Sequence, residues 1–328
     1  VPNDAGRTDI FAHVFVDVGP WPAGSTIRVS RAANSDGDLG GTTANGDSTV
    51  ASVAALAPIV GFSSTATNLV SGTSPSGRQS YIVDLVTGEA SLVSSSSAGE
   101  PSNATCGTPS LSADGEWVAF PTPGDNVAEP GPFDDSEDYF VLWHVFLRDL
   151  GSGAVLQTDT AADAGGFEAS GPACTLPITC GSFSPSLSGD GSLLVYDAVA
   201  ANLVAGEDDD DDVDVYLYDR DSGETRLLSA GDGDGASDSP EVSEDGAFVV
   251  FRSAEAFDGI DVPGHFVVAS NDPGAPPNRV SILPDGTPAD VAINTAQDMP
   301  NLSSDGSLVT FDSRVAGEPP RLVLRCLF

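Results

Sequence analysis

Four segments of the chain repeat one another: PSLSADGEWVAF from Pro109, PSLSGDGSLLVY from Pro185, PEVSEDGAFVVF from Pro240 and PNLSSDGSLVTF from Pro300. Each pairs a short alternating run with a second apolar run across an Asp-Gly, beginning at Asp114, Asp190, Asp245 and Asp305. A fifth, degraded copy is VASVAALAPIVGFSS from Val50, with Ala-Pro where the turn pair would stand. Asp-Gly between alternating runs favours a tight hairpin, because Gly accepts positive φ at no steric cost. A repeat of this kind decides the fold before any single residue does.

Behind the hairpins come third and fourth runs joined by a Gly-containing turn: DVYLYDR from Asp214, then DSGE, then TRLLSAG. The same order reads VFLRDLGSGAVLQT from Val145 and YIVDLVTGEASLVS from Tyr81. Four short up-and-down strands per repeat make one β-propeller blade, and no amphipathic helical pattern interrupts them. The expected fold is therefore all-β, a single propeller over residues 1–328 built of four-stranded antiparallel blades. The chain starts within a blade, since IFAHVFVD and TIRVS read as third and fourth strands with no hairpin before them. Its C-terminal part supplies a first hairpin and then RLVLRCLF. Pairing of N- and C-terminal strands would close the ring without an open edge. Five first hairpins against six third-strand runs leave five or six blades open.

The string Ser184-Pro-Ser-Leu-Ser-x-Asp-Gly, with Ala-Asn-Leu-Val-x-Gly after the hairpin and then Asp214-Val-Tyr-Leu-Tyr-Asp, resembles the PD40 repeat of TolB-like (WD40-like) propellers. The likeness is clearest over residues 184–229, and Asn-Leu-Val recurs at Asn68 and Asn202. The resemblance implies a toroidal, usually six-bladed propeller used for protein binding, and it favours six blades here. PD40 repeats also serve as accessory domains of hydrolases.

Charge narrows the partners. The chain carries 49 Asp and Glu against 12 basic residues, all Arg, for a formal charge of −37. A hydrophobic content of 40% still supports a core. Self-repulsion of this size is relieved in concentrated salt, where the Debye length falls from ~10 Å at 0.1 M to ~3 Å near 1 M. A halophilic surface is the main reading, and a cation-buffering one in ordinary salt is the alternative. Nucleic acid is excluded for want of a basic stripe, and insertion into a membrane for want of a long apolar run. No secretory leader opens the chain at VPNDAGRTDIF, as expected of a mature or trimmed sequence.

Four cysteines, Cys106, Cys174, Cys180 and Cys326, lack metal-ligand spacing, so two disulfides and an oxidising, extracellular location are expected. Asn103 and Asn301 head glycosylation triplets. Strand alternation puts the long two-to-three and four-to-one loops on one face, and these loops carry acids such as Asp125, Glu129 and Asp134. Calcium could be held there by Asp208, Asp210, Asp212 and Asp214, or by Asp232, Asp234 and Asp238. The run lacks the spaced Gly and terminal Glu of an EF-hand loop, so a solvated acidic loop is the plainer reading. His13, His144 and His265 each fall early in a third strand, where a polar strand-start role outweighs a zinc ring. No nucleophile elbow or HExxH occurs. The expected function is a secreted, non-catalytic module binding a protein or glycan through its acidic loop face. The alternatives are a surface-layer or filament subunit that binds copies of itself by strand complementation, and an accessory propeller of a larger hydrolase.

Overall fold

In this computed structural model the described residues are 6–34, 39–128, 143–160, 181–199, 203–205, 212–230, 235–255, 257, 259, 263–272, 275–283, 285–289, 300–313 and 321–327. Every regular element among them is a strand. Two compact units are present: Val1–Phe133 with Val145–Gln157, and Asp134–His144 with Thr158–Phe328.

Five sheets follow one another along the chain, each an antiparallel meander in sequence order. Sheet I comprises Ser48–Val53, Ile59–Ser64, Gln79–Asp84 and Ala90–Leu92; sheet II comprises Ser110–Leu111, Trp117–Thr122, His144–Asp149 and Val155–Gln157. Sheet III comprises Gly181–Leu187, Leu193–Val199, Asp214–Asp219 and Glu224–Leu227, and sheet IV comprises Ser237–Val242, Phe248–Ser253, Gly264–Ala269 and Asn278–Arg279. Sheet V has three strands, Asn301–Leu302, Leu308–Ser313 and Arg321–Cys326. The repeat is thus a propeller blade, and the all-β propeller class expected from the sequence is the one found. At the N-terminus Phe11–His13 pairs with Thr26–Arg28, and Arg31–Ala33 with Leu39–Thr43. The second pair resembles the small excursions after the fourth strands of sheets I and IV, bridged at Ser95–Pro101 and Ile282–Pro288. Among the described residues the first pair stands as a two-stranded sheet of its own.

The repeat motif explains its own hairpin. Ser112, Ser188, Ser243 and Ser303 donate their hydroxyls to the Asp two residues on, at 2.6–2.9 Å. The same carboxylate oxygen accepts the amide two residues beyond it, at 2.9–3.0 Å. The Ser oxygen then accepts the amide that opens the second strand, at 2.9–3.1 Å. Side chains thereby satisfy backbone groups that a bare turn would leave to water. The turn is a four-residue loop closed by paired bonds between Ser and the residue five on, as between Ser188 and Leu193. Hairpin tips are also linked from sheet to sheet: Leu56 donates to the Ala113 carbonyl and Gly189 to that of Glu244, both at 2.7 Å, and Asp245 to that of Ser304 at 3.1 Å.

Between sheets the core is apolar. In the first unit Ala54, Ile82, Val93, Leu111 and Val118 fill the gap between sheets I and II. In the second, Val195, Val215, Leu217, Val242 and Phe251 join sheets III and IV, and Val250, Val280, Val309 and Phe311 join IV and V. Inside each complete sheet one aromatic of the second strand stacks on one of the third: Phe62–Tyr81, Phe120–Phe146, Tyr196–Tyr216 and Phe251–Phe266. Centroids lie 5.9–6.3 Å apart. Such pairs add ~0.5–1.5 kcal/mol beyond the area they bury.

Candidate binding face

The two-to-three and four-to-one connections emerge at the same end of each sheet, and side-chain amides tie them together. In the first unit Asn45 accepts from the Thr67 amide at 2.8 Å, donates to the Thr67 hydroxyl, and gives its own amide to Asn68. One blade on, Asn126 accepts from the Asn103 amide at 3.0 Å and donates to the Pro101 carbonyl. Asn103 donates to Asp125. Beneath the clasps Leu69 and Val127 are buried, and Leu203 of the second unit is buried likewise. In the first unit Asn68-Leu69 and Asn126-Val127 are therefore loop anchors, the asparagine amide facing the neighbouring loop and the aliphatic side chain entering the core. These bonds join neighbouring loops at this end of the first unit.

Two carboxyls of raised pKa lie in the second unit, Asp197 buried toward this end and Glu241 half-buried toward the opposite, hairpin end. Asp197 accepts from the Ser239 amide of the next sheet at 3.0 Å. Burial is the main force raising its pKa to about 6, and neighbouring Asp238 adds to it. Asp238 itself receives a two-pronged guanidinium from Arg252, at 2.8 and 2.6 Å. Glu241 accepts from the Leu302 amide of sheet V at 3.2 Å, and burial pushes it up to about 7. Perturbed carboxyls of this kind are where acid–base chemistry is sought. Here each is engaged by a backbone amide of the adjacent sheet, so its evident work is to join blades. Both lie by a first-strand bulge, at Ser184 (φ 47°) and Ser239 (φ 54°), with a third bulge at Val50 in sheet I. Left-handed Ser just before Pro185 and Pro240 is not legible from composition, and the sequence reading has no counterpart to these bulges or to the two acids.

The residues singled out from sequence fall in several places. Asp214 opens the third strand of sheet III, buried, and its carboxylate accepts from the Ser229 hydroxyl. The same clasp recurs as Gln79 with Ser94 in sheet I at 2.8 Å and as His144 with Asp159 in sheet II at 3.1 Å. His144 therefore has the polar strand-start role expected of it. His265 is fully buried one position later, its amide on the Ser281 hydroxyl, while His13 is exposed against Thr26. Asp212 is half-buried, whereas Asp208, Asp210, Asp232 and Asp234 lie outside the described residues, as do Glu129, Asp134 and Asn202. No group of three metal-ligating side chains forms among the described residues. Cys106 is a buried thiol raised by that burial and Cys326 is exposed, and among the described residues no disulfide joins them. Cys174 and Cys180 lie outside the described residues. Asn103 is exposed within the loop clasp, and Asn301 is exposed in the first strand of sheet V.

No protein-family model and no curated protein matches the chain. Solved structures similar to it include TolB from Acinetobacter baumannii, at 14% identity over 76% of this chain and 46% of that one, TM-score 0.43. This chain therefore spans less than half of that protein's length. A putative TolB from Agrobacterium tumefaciens is similar at 16% identity over 92% and 81% of the two chains, TM-score 0.49. The β-propeller domain of the Trilobed protease from Pyrococcus furiosus is similar at 11% over 82% and 66%, TM-score 0.45. The chain's own sheet order and register make its fold that of β-propeller blades.

Proposed function

We propose that the chain is a secreted, non-catalytic recognition module that binds a protein or glycan through its acidic loop face in concentrated salt. The observation that carries this reading is the Asn clasp, which ties Asn45 to Thr67 and Asn68, and Asn103 to Asn126. A loop face held by its own side chains loses little entropy on binding. The acids of the repeat support a structural use of their carboxylates, since Asp114, Asp190, Asp245 and Asp305 each cap a turn. A charge of −37 suits molar salt, and an exposed asparagine at Asn103 suits a secreted surface.

A glycan array and an extracellular-protein panel probed in molar NaCl should yield a saturable ligand. Its hydrogen-exchange footprint is expected over 65–68, 101–103 and 125–127. A footprint on the short-turn face, or turnover of the bound glycan, would overturn the reading. A second reading, an assembly subunit joined by strand addition, is favoured by the outer strand of three-stranded sheet V, where Leu322 and Leu324 are 74% and 63% exposed. High polymer in molar salt with no ligand footprint would select it instead.

A further inference from the structure

Sheet IV differs from its neighbours at its outer edge. Its fourth strand is two residues long, Asn278–Arg279, where those of sheets I, II and III have three, three and four. The cause is local: Pro276 and Pro277 precede the strand and offer the ladder no amide. The shortened edge leaves a groove of about 330 Å³ between sheet IV and the last strand of sheet V. That lies at the low end of the ~300–1,000 Å³ common for small-ligand sites. Its walls are Phe248, Val267, Ala269, Val280 and Leu327, and at the end of the third strand of sheet V stands Arg325. Arg325 faces sheet IV, donating to the Val280 carbonyl at 3.0 Å, and no carboxylate pairs with it among the described residues. A guanidinium beside an aliphatic groove, in a chain with 49 acids and 12 arginines, is a selective feature.

We propose that this groove binds a medium-chain aliphatic carboxylate, its hydrocarbon tail along Val267, Ala269 and Leu327 and its head on Arg325. Charge complementarity argues for the head, because Arg presents paired donors that match a carboxylate. The groove's apolar walls argue for the tail. In molar salt the Debye length of ~3 Å removes the repulsion that the net charge would impose on such an anion. The groove adjoins the three-to-four turn at Ala275 and Pro276, the opposite end of the sheets from the loop clasps, so this inference is independent of the loop-face reading.

The test is titration of the full chain with sodium octanoate and with octanol in molar NaCl, followed by amide chemical shifts and by calorimetry. Octanoate should saturate, with shifts confined to Val267, Ala269, Asn278 and Leu327. Arg325→Gln should weaken octanoate by about tenfold, the worth of a charge-assisted bond, and leave octanol unchanged. Val267→Trp should abolish both by filling the groove, its circular dichroism and melting confirming the fold. Should millimolar octanoate fail to saturate, or should Arg325→Gln leave its affinity unaltered, the proposal is wrong. Shifts spread over the surface would mean an adventitious amphiphile only, and would equally sink it.

Discussion

Asp197 and Glu241 are the side chains through which pH reaches this fold most directly. Both are raised above the ordinary carboxylate range by burial, to about 6 and about 7. The folded state thus holds protons that the unfolded chain releases at lower pH. Stability is highest below the unfolded values and falls as pH rises through the folded ones, flattening above about 7. The groups facing Asp197 are the Ser239 amide, Asp238, itself paired with Arg252, and the Ser184 hydroxyl. Exposed acids lowered by hydrogen bonds, such as Asp285 and Asp305, act in the opposite direction, so variants must separate the effects. Asp197→Asn and Glu241→Gln keep an acceptor for the amide and remove the titration. Melting temperatures between pH 4.5 and 7.5 should fall less in the double variant than in the parent. Equal slopes would show that the two carboxyls do not ionise as described. By contrast, Asp305 is held near 2 by the Ser307 amide and the Ser303 and Ser307 hydroxyls, and stays charged throughout this window.

A blade is a chain of turns, and its glycines differ in what surrounds them. Gly115, in the Ser-x-Asp-Gly turn of sheet II, has φ 73°, and a Cβ there would lie 2.7 Å from the Ala57 Cβ and 2.9 Å from the Ile59 Cδ1. Gly223, in the third turn of sheet III, has the same φ of 73° but open space around it. Left-handed geometry alone costs a side chain about 1–2 kcal/mol. Gly223→Ala should therefore destabilise by about that much, and Gly115→Ala by clearly more, because the preceding sheet must also give way. Chemical denaturation of the two variants checks this, and equal losses would contradict sheet-to-sheet contact at the hairpin tips. Strand existence and order were readable from the Asp-Gly spacing, since local hydrogen bonds from Ser and Asp specify that turn wherever it occurs. The bulges at Val50, Ser184 and Ser239 were not, because each is a local shift of strand register with a left-handed residue that no turn motif announces. The Asn-Leu-Val element was visible as a repeat, yet its use as a loop clasp needed the neighbouring loop.

Across the whole chain, 49 acids against 12 arginines make ionic strength a stability variable. Melting temperature should climb steeply as NaCl rises from about 0.1 M to about 1 M, the range over which the Debye length shrinks from ~10 Å to ~3 Å. A flat salt profile would remove the case for a protein adapted to brine. Apolar periodicity and turn chemistry by themselves determined the all-β class, the blade unit and its limits, and the polar role of His144. They could do so because each depends on residues near one another in sequence. Tertiary structure alone decided that Asp197 and Glu241 are raised carboxyls and that Arg325 borders a groove. Burial and charge pairing depend on residues brought together from different sheets, as when Asp197 meets Ser239. No spacing along the chain encodes that encounter.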